Sequence, residues 1–379
     1  MKTTSLRTVQ GQPSWRMSSS RVEMFVTQTG GHLGPVTFNL GGRTVQPYHV
    51  APWAEEKGWN KLPPILRVLR GDFFCLPFGA NTTPWRGEQH PVHGETANAR
   101  WKCLAHINEA GTHCLHLQLP TRIRPGLVDK VLFLREDHTA VYCRHVLSGF
   151  TGPMNFGHHA MLRFPAAEGS GLISTSRFVW GQVFPQPFED PAQGGYQCLK
   201  PGARFDSLAR VPRLDGTTAD LTAYPARRGF EDLVLMVNDP KLPFAWTAVT
   251  FPQEGYVWFA LKDPRVLRQT IFWISNGGRH YPPWNGRHVH VMGLEDVTSY
   301  FHLGLAESAA PNPLSRAGHP TVENLTPDMP LIIPYIMGVA AIPKGFDRVQ
   351  HIERIRGGIR LVAATGKSAR ASVAMEFLD

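Results

Sequence analysis

Short runs rich in β-branched and aromatic residues, each bounded by Gly, Pro, Asn or Asp, recur along most of the chain. Runs of this kind are typical of β-strands, because such side chains pack well on a pleated surface and turn residues end the run. The strands predicted in this way are Arg21–Gln28, Cys114–Leu119, Lys130–Leu134, Ala140–Leu147, Leu233–Asn238, Tyr256–Leu261, Gln269–Ile274 and Gly358–Ala364.

Helical patterning is scarce, since Gly or Pro recurs every few residues and apolar positions rarely follow the spacing of a helix face. Short polar links such as Arg135–His138 have the length of hairpin loops. We therefore predict an all-β fold, a large antiparallel β-sandwich over residues 1–379 as a single domain, with its site in a concave face. The longest stretches without a strand pattern are Ser207–Leu221 and Leu305–Pro327, and we interpret the second as a surface loop.

Composition agrees with a globular protein that turns often. The 379 residues are 42% hydrophobic and 18% charged, with 36 Gly and 32 Pro, so the chain can bury a sizeable core. The net charge of +9 comes from scattered basic residues without a run of five or six like charges. Because binding to phosphate backbones requires a clustered basic patch, we expect no nucleic-acid partner.

The five cysteines are odd in number and form no CxxC pair, so neither a disulfide framework nor a zinc ribbon is predicted. The first thirty residues lack the apolar core of a signal peptide, and no later stretch has the length and apolarity of a membrane span. We expect reduced thiols, a cytoplasmic location and no membrane association. The sequence does not indicate an oligomeric state.

Seventeen histidines are too many for each to be functional, so only clustered ones are candidates. The first cluster follows Gly71–Asn81, a segment that Gly and Pro make extended and rich in turns. His93, Gly94 and Trp101 then stand in an order that resembles the aldose 1-epimerase (galactose mutarotase) superfamily, where a His-Gly is followed by a Trp. The sequence departs from that pattern at Glu95–Ala99.

The second cluster is the pair His158 and His159 in a predicted strand. It resembles the strand of the same superfamily in which a histidine acts as general acid toward the ring oxygen of the sugar. His159 is the nearer match and His158 the alternative. Adjacent residues of a strand point to opposite faces, so only one of the two can reach a given pocket.

The third segment contains Gly293, Leu294 and Glu295, followed by Thr298 and Ser299. This order resembles the late strand of aldose 1-epimerases, and the resemblance implies that Glu295 is the base that takes the proton of the anomeric hydroxyl. Where the family usually has Pro after the Glu, this chain has Asp296. The whole resemblance is an ordering of weak motifs that runs from Gly30–Phe38 to Glu295, and it implies the mutarotase-like sandwich.

Elementary chemistry supports the same pair of residue types. Interconversion of two anomers opens a hemiacetal, so one group deprotonates the anomeric hydroxyl while another protonates the ring oxygen. Histidine and a buried glutamate suit these roles near neutral pH, and the reaction requires no cofactor. The expected partner is a small-molecule sugar or sugar phosphate. The candidate substrate-binding residues are Asn81, His93, Arg100, Trp101, His158 and Trp284.

Two other classes of function remain open at this point. His288, His290 and Glu295 have the HxHx4E spacing of cupin-type metal ligands, and on a strand the two histidines would share one face. A cupin also needs a further histidine on a following strand, and after Glu295 the chain offers His302 and His319 in a context that does not fit, so we expect no metal there. The other class is a noncatalytic carbohydrate-binding protein of the same fold, because function resides in the site and not in the fold.

Overall fold

The computed structural model describes residues 5–109 and 111–379. It is 48% strand and 7% helix, and this helix content is far below the typical fraction of roughly a third. Within the described residues, no helix is long and apolar enough to cross a membrane. The prediction of an all-β chain is therefore confirmed.

The chain begins with an antiparallel five-stranded sheet in which sequential strands are neighbours. Its strands are β1 (Arg7–Val9), β2 (Gln12–Ser18), β3 (Val22–Thr27), β4 (Leu33–Asn39) and β5 (Thr44–Val45).

Most of the strands that follow belong to two large sheets. The first group is β6 (Phe74–Cys75), β7 (Lys102–Glu109), β8 (Thr112–Thr121), β9 (Gly126–Arg135), β10 (Ala140–Ser148), β11 (Gly152–Met154), β12 (Phe156–Arg163), β13 (Gly171–Thr175) and β14 (Phe178–Val183). The second group is β15 (Arg204–Phe205), β16 (Val211–Pro212), β17 (Thr218–Ala219), β18 (Ala223–Tyr224), β19 (Phe230–Asn238), β20 (Ala245–Phe251), β21 (Tyr256–Lys262), β22 (Gln269–Asn276) and β23 (Val291–Thr298).

The last strands are β24 (Glu323–Leu325), β25 (Leu331–Ala341), β26 (Val349–Ile355), β27 (Gly358–Ala363) and β28 (Ser368–Ser372). Strands β11 and β24 form one small sheet, and β16 and β17 form another. Three short α-helices are described, α1 (Pro64–Val68), α2 (Leu305–Ala309) and α3 (Pro313–Arg316). Single 3₁₀ turns occur at Trp59–Lys61, Glu95–Ala97, Pro191–Gln193 and Met375–Phe377.

Two large antiparallel sheets form the sandwich. One has nine strands in the order β18-β13-β20-β21-β25-β10-β9-β8-β7, and the other has seven in the order β15-β14-β19-β22-β23-β12-β6. Alternate residues of each sheet fill the space between them, for example Leu132 and Trp258 from the first and Phe156, Phe272 and Leu294 from the second. The predicted sandwich architecture is confirmed.

Both large sheets are covered on their outer faces as well. The C-terminal sheet β26-β27-β28 packs on the nine-stranded sheet through residues such as Ile359 and Leu361. Loop residues such as Trp53 and Phe73 pack on the seven-stranded sheet. Strands with two covered faces are apolar almost throughout, and all eight residues of both β22 and β23 are buried.

All eight predicted strands are present, with boundaries that differ by a few residues. The stretch 305–327, interpreted above as a surface loop, instead contains α2, α3 and β24. Asn312 accounts for α3, because its side-chain oxygen accepts from the backbone N–H groups of Leu314 and Ser315 while Pro313 occupies the first helical turn. Such a short capped helix leaves no periodic pattern in the sequence.

Candidate functional site

A pocket of about 230 Å³ opens on the outer face of the seven-stranded sheet. This volume lies just below the range of roughly 300–1,000 Å³ that holds drug-sized ligands, so the pocket suits a molecule of monosaccharide size. Its polar lining consists of His93, His159, His302, Arg279, Tyr281 and Glu295. Its apolar lining consists of Ile65, Leu66, Leu69, Val92, Phe188, Leu233, Trp273 and Trp284.

His159 and Glu295 face each other across two neighbouring strands. In the antiparallel register of β12 and β23 the two residues are direct partners, so their side chains leave the sheet on the same face. The His159 Nε2 lies 3.2 Å from the Glu295 Oε1. Both residues are buried, at 4% and 1% exposure, and both reach the pocket. The structure thus brings together the acid and base candidates of the sequence.

Burial decides where the proton of this pair lies. Desolvation lowers the pKa of His159 to about 3, and it raises the pKa of Glu295 well above its usual value, with a further contribution from the charge of Asp296. Both shifts favour a neutral imidazole beside a protonated carboxyl at neutral pH. The pair therefore holds one proton that it can share across the 3.2 Å contact.

Gly293 makes room for the carboxylate of Glu295. Because Gly293 stands two positions earlier on the same strand, it faces the same side of the sheet. A Cβ at this position would lie 2.7 Å from the Glu295 Oε1 and 3.1 Å from the Cβ of Trp273. The glycine of the predicted Gly-Leu-Glu segment thus has a steric function.

His93 is held in the pocket by the turn that follows the 71–81 segment. Gly94 has a positive φ of 74°, and a Cβ there would lie 1.8 Å from the carbonyl oxygen of Leu76, so only glycine permits this approach. The ring of His93 accepts from the backbone N–H of Gly79 at 3.4 Å and lies 5.0 Å, edge to face, from the ring of His159. The His-Gly segment of the sequence therefore places His93 in the lining of the pocket.

His302 is the third imidazole of the pocket, with its ring centroid 5.2 Å from that of His93. Its shielding from solvent lowers its pKa to about 4, and burial also lowers the pKa of His93 well below the usual value. All three rings are consequently uncharged near neutral pH. They offer hydrogen-bonding nitrogens to a ligand without adding charge to the pocket.

Aromatic side chains and one arginine form the opposite wall. The guanidinium carbon of Arg279 lies 4.8 Å from the ring centroid of Trp284 and 5.5 Å from that of Trp273. Its Nε donates to the Glu189 Oε1 at 2.6 Å, and the hydroxyl of Tyr281 donates to the other carboxylate oxygen at 3.3 Å. Arg279 is thus fixed against apolar surfaces and paired with a buried carboxylate.

Glu231 forms a hydrogen bond with Trp273, one of the aromatic residues that line the pocket. It is fully buried, accepts from the indole N–H of Trp273 at 3.0 Å and from the hydroxyl of Ser275 at 2.8 Å. Burial raises the pKa of Glu231 to about 8. This hydrogen bond and the surrounding rings of His159, Trp284 and His288 hold the Trp273 ring in place.

Other predicted site residues lie outside this pocket. Asn81 uses its amide to hold the local turn, donating to the carbonyl oxygens of Pro77, Gly79 and Pro91 at 3.1–3.2 Å. Arg100 is exposed and donates to the side chain of Gln28.

Two more of the predicted residues lie in the core. Trp101 is buried there and donates to the carbonyl oxygen of Thr96 at 2.9 Å. His158 points into the space between the two large sheets, where its Nδ1 lies 2.9 Å from the Asp72 Oδ2.

The HxHx4E residues do not converge on one point. β23 begins at Val291, so His288 and His290 precede the strand and do not share a face as a strand would require. The Nδ1 of His288 is engaged with the hydroxyl of Ser275 at 2.6 Å, and His290 is half-buried with a positive φ of 57°. Among the described residues, the one group with metal-ligand spacing is Cys143, His145 and His158, between the sheets.

Comparison with known proteins supports the fold. Neither a protein-family model nor a curated protein matches this sequence. Solved structures do match: a galactose mutarotase-like protein from Clostridium acetobutylicum has a TM-score of 0.58 at 8% identity, covering 89% of this chain and 98% of that one. An aldose epimerase homologue from C. elegans has a TM-score of 0.55 at 12% identity, covering 88% and 100%.

A galactose mutarotase related enzyme from Lactobacillus acidophilus also matches, with a TM-score of 0.55 at 10% identity, covering 86% of this chain and 97% of that one. The chain therefore has the galactose mutarotase-like fold, as the resemblance implied.

Proposed function

We propose that the protein is an aldose 1-epimerase-like isomerase that interconverts the anomers of a small sugar or sugar phosphate. The observation that carries this proposal is the 3.2 Å contact between His159 and Glu295 at the base of a pocket of monosaccharide size. Anomer interconversion needs one acid and one base on the same sugar ring. The mutarotase-like fold of the chain is consistent with this reaction.

The proton count of the pair suits ring opening. Glu295 as carboxylate takes the proton of the anomeric hydroxyl while protonated His159 gives its proton to the ring oxygen, so that the bond from the anomeric carbon to the ring oxygen breaks and an aldehyde forms. The pair then consists of a protonated carboxyl and a neutral imidazole. This is also the form that burial of the two side chains favours.

Ring closure reverses these transfers after rotation about the bond beside the aldehyde carbon. The protonated carboxyl returns its proton to the carbonyl oxygen, and the imidazole takes a proton from the attacking hydroxyl. Ring opening starts from the Glu295 carboxylate and the protonated His159, and ring closure starts from the protonated carboxyl and the neutral imidazole. Transfer of one proton across the 3.2 Å contact interconverts these two forms. No cofactor is needed in either direction.

The remaining lining residues account for sugar binding. The faces of Trp273 and Trp284 offer apolar surfaces for the C–H side of a pyranose, a common use of aromatic rings in such pockets. His93 and His302 have ring nitrogens for sugar hydroxyls, and the guanidinium of Arg279 faces the same cavity. These contacts hold the ring with its anomeric carbon beside the acid–base pair.

We predict a bell-shaped pH dependence of kcat/KM with a plateau across neutral pH. At low pH the pair binds a second proton, and Glu295 can then no longer act as the base. Because the pKa of His159 is lowered to about 3, the acid limb of the profile lies below the usual pKa of histidine. At high pH the pair loses its shared proton, and no acid remains. The raised pKa of Glu295 moves this alkaline limb of the profile to higher pH.

Polarimetry of freshly dissolved α-aldoses and their phosphates from pH 4 to 10 measures this profile. The two limbs belong to the pair jointly. A single limb centred near pH 6.5, or a rate equal to that of buffer at every pH, contradicts the proposed acid–base pair.

Gly293→Ala is expected to slow turnover by up to about 10², although it removes no reacting group. The added methyl group collides with the Glu295 Oε1, and a displacement of about 1 Å can cost this much in a positioned reaction. Leu294→Met is the matched control, because Leu294 faces the space between the sheets. Wild-type turnover in the Gly293 variant, with an unchanged melting temperature, would show that the carboxylate position is not critical.

A further inference from the structure

A second cluster of reactive side chains lies between the two large sheets, behind the pocket. Cys143 and His145 stand two positions apart on β10 and therefore point to the same face of the nine-stranded sheet. His158 points toward them from β12 of the seven-stranded sheet. All three residues are completely buried. The proposed sugar chemistry uses none of them.

The three side chains converge on one point. One ligand atom from each residue lies within 4.8 Å of the corresponding atoms of the other two. The Cys143 Sγ lies 3.8 Å from the His145 Nδ1, and the two imidazole centroids are 5.0 Å apart. One thiol and two imidazoles from facing sheets are a donor set that transition metals favour.

Two nitrogens of this cluster lack partners. The Nε2 atoms of His145 and His158 are buried and have no hydrogen-bond partner among the described residues. A buried polar atom left unsatisfied costs roughly 1–3 kcal/mol, so such atoms in a folded core call for an explanation.

Asp72 holds His158 in the orientation of a ligand. Its Oδ2 lies 2.9 Å from the His158 Nδ1, and Asp72 is itself completely buried. Metal-binding histidines commonly donate their second ring N–H to a carboxylate in this way, which fixes the tautomer and leaves the other nitrogen free for the metal. Here the other nitrogen is the unpartnered Nε2.

We propose that Cys143, His145 and His158 bind one soft transition-metal ion that links the two sheets of the sandwich. The site is separate from the sugar pocket, and the proposal does not rest on the sugar function. Binding of the metal displaces the thiol proton of Cys143 and forms a metal–thiolate bond without any redox step.

Local charge favours a monovalent ion. Lys130 is buried beside the cluster, where its Nζ donates to the carbonyl oxygen of Gly31 at 2.6 Å and it interacts with the Cys143 sulfur. A single thiolate gives the ligand set one negative charge, because the two imidazoles bind a metal as neutral groups. Cu⁺ neutralises it, whereas Zn²⁺ leaves one positive charge in the core, which is unfavourable there. The soft thiolate also suits Cu⁺, and imidazole nitrogens bind copper as well.

Elemental analysis tests this proposal on the full chain expressed in cells with added copper or added zinc and purified anaerobically. We expect close to one copper per chain from the first culture and less zinc from the second. X-ray absorption at the metal edge is expected to show one sulfur and two imidazole nitrogens. Thermal unfolding of the loaded protein is expected at a higher temperature than that of the chelator-treated protein, since a ligand of the folded state stabilises it.

Cys143→Ser and His145→Gln are expected to lose the metal, whereas Cys114→Ser, a half-buried thiol on the same sheet, is expected to keep it. Circular dichroism confirms that each variant is folded. If the Cys143 and His145 variants both fail to fold, X-ray absorption of the metal-loaded wild type tests the site instead. A metal without a sulfur ligand would overturn the proposal. Metal-free wild type from both cultures overturns it as well, and one zinc per chain bound through sulfur supports the site but contradicts the charge count.

Discussion

Glu295→Gln is expected to slow anomer interconversion by on the order of 10²–10⁴, because the amide keeps the shape of the side chain but cannot accept the proton. Sugar binding should stay nearly intact, so the loss appears in kcat and not in affinity. Polarimetry gives the rate and calorimetric titration gives the affinity.

The folded state of this variant should be at least as stable as that of the wild type. Burial raises the pKa of Glu295, which means that the folded environment disfavours its charged form, and a neutral amide avoids that cost. A variant that turns over at the wild-type rate would remove Glu295 from the mechanism. Loss of sugar affinity by the same factor as turnover would indicate a binding function for this residue.

The adjacent histidines are expected to respond in opposite ways. His159→Asn should lower turnover by on the order of 10²–10⁴, since it removes the acid that faces the pocket. His158→Asn should leave turnover nearly unchanged but lower the free energy of unfolding by roughly 1–3 kcal/mol, because Asp72 loses its buried partner. Polarimetry and chemical denaturation of both variants separate the two effects.

Each substitution is the control for the other, because both replace a buried imidazole of β12 by the same amide and differ only in the face of the sheet that is changed. If His158→Asn abolishes turnover in a folded protein while His159→Asn does not, the assignment of the two faces is wrong. If neither variant loses turnover, histidine catalysis in this pocket is contradicted.

The strands could be predicted from sequence because their ends carry strong signals. β21, for example, is an apolar and aromatic run over Tyr256–Leu261 that follows Gly255 and ends in Lys262, before Asp263 and Pro264. The sequence does not reveal which side chains of a strand point to which face of the sheet when both faces are buried. β12 and β23 are such strands, and they lack an alternation of polar and apolar residues. Sequence alone therefore left His158 and His159 as alternatives.

The site could be predicted in part. The resemblance identified His159 and Glu295, but only the register of β12 with β23 shows that they are direct neighbours. Of the predicted substrate-binding residues, His93 and Trp284 line the pocket, whereas Asn81 and Arg100 have engaged their polar groups elsewhere. Register depends on pairing across long stretches of chain, which a local pattern does not reveal.

Several pocket residues carried no usable signal. Trp273 stands in a run that indicates only a buried strand, and the ring reaches the pocket because β22 lies next to β23. His302 and Arg279 come from turns whose course depends on tertiary packing. The sequence offered His302 only as a poorly placed metal-ligand candidate, and it did not distinguish Arg279 from the other arginines of this basic chain.

The most direct test of the proposed function is the exchange of magnetisation between the α- and β-anomer resonances of a sugar at equilibrium, measured by NMR across aldoses and aldose phosphates. For at least one sugar, catalytic amounts of wild-type protein should accelerate exchange above the buffer rate, and equal amounts of the Glu295→Gln and His159→Asn variants should not. If no sugar that binds the pocket exchanges faster than in buffer, or if both folded variants accelerate exchange as well as the wild type, the acid–base pair is not catalytic, and the protein is better described as a carbohydrate-binding member of this fold.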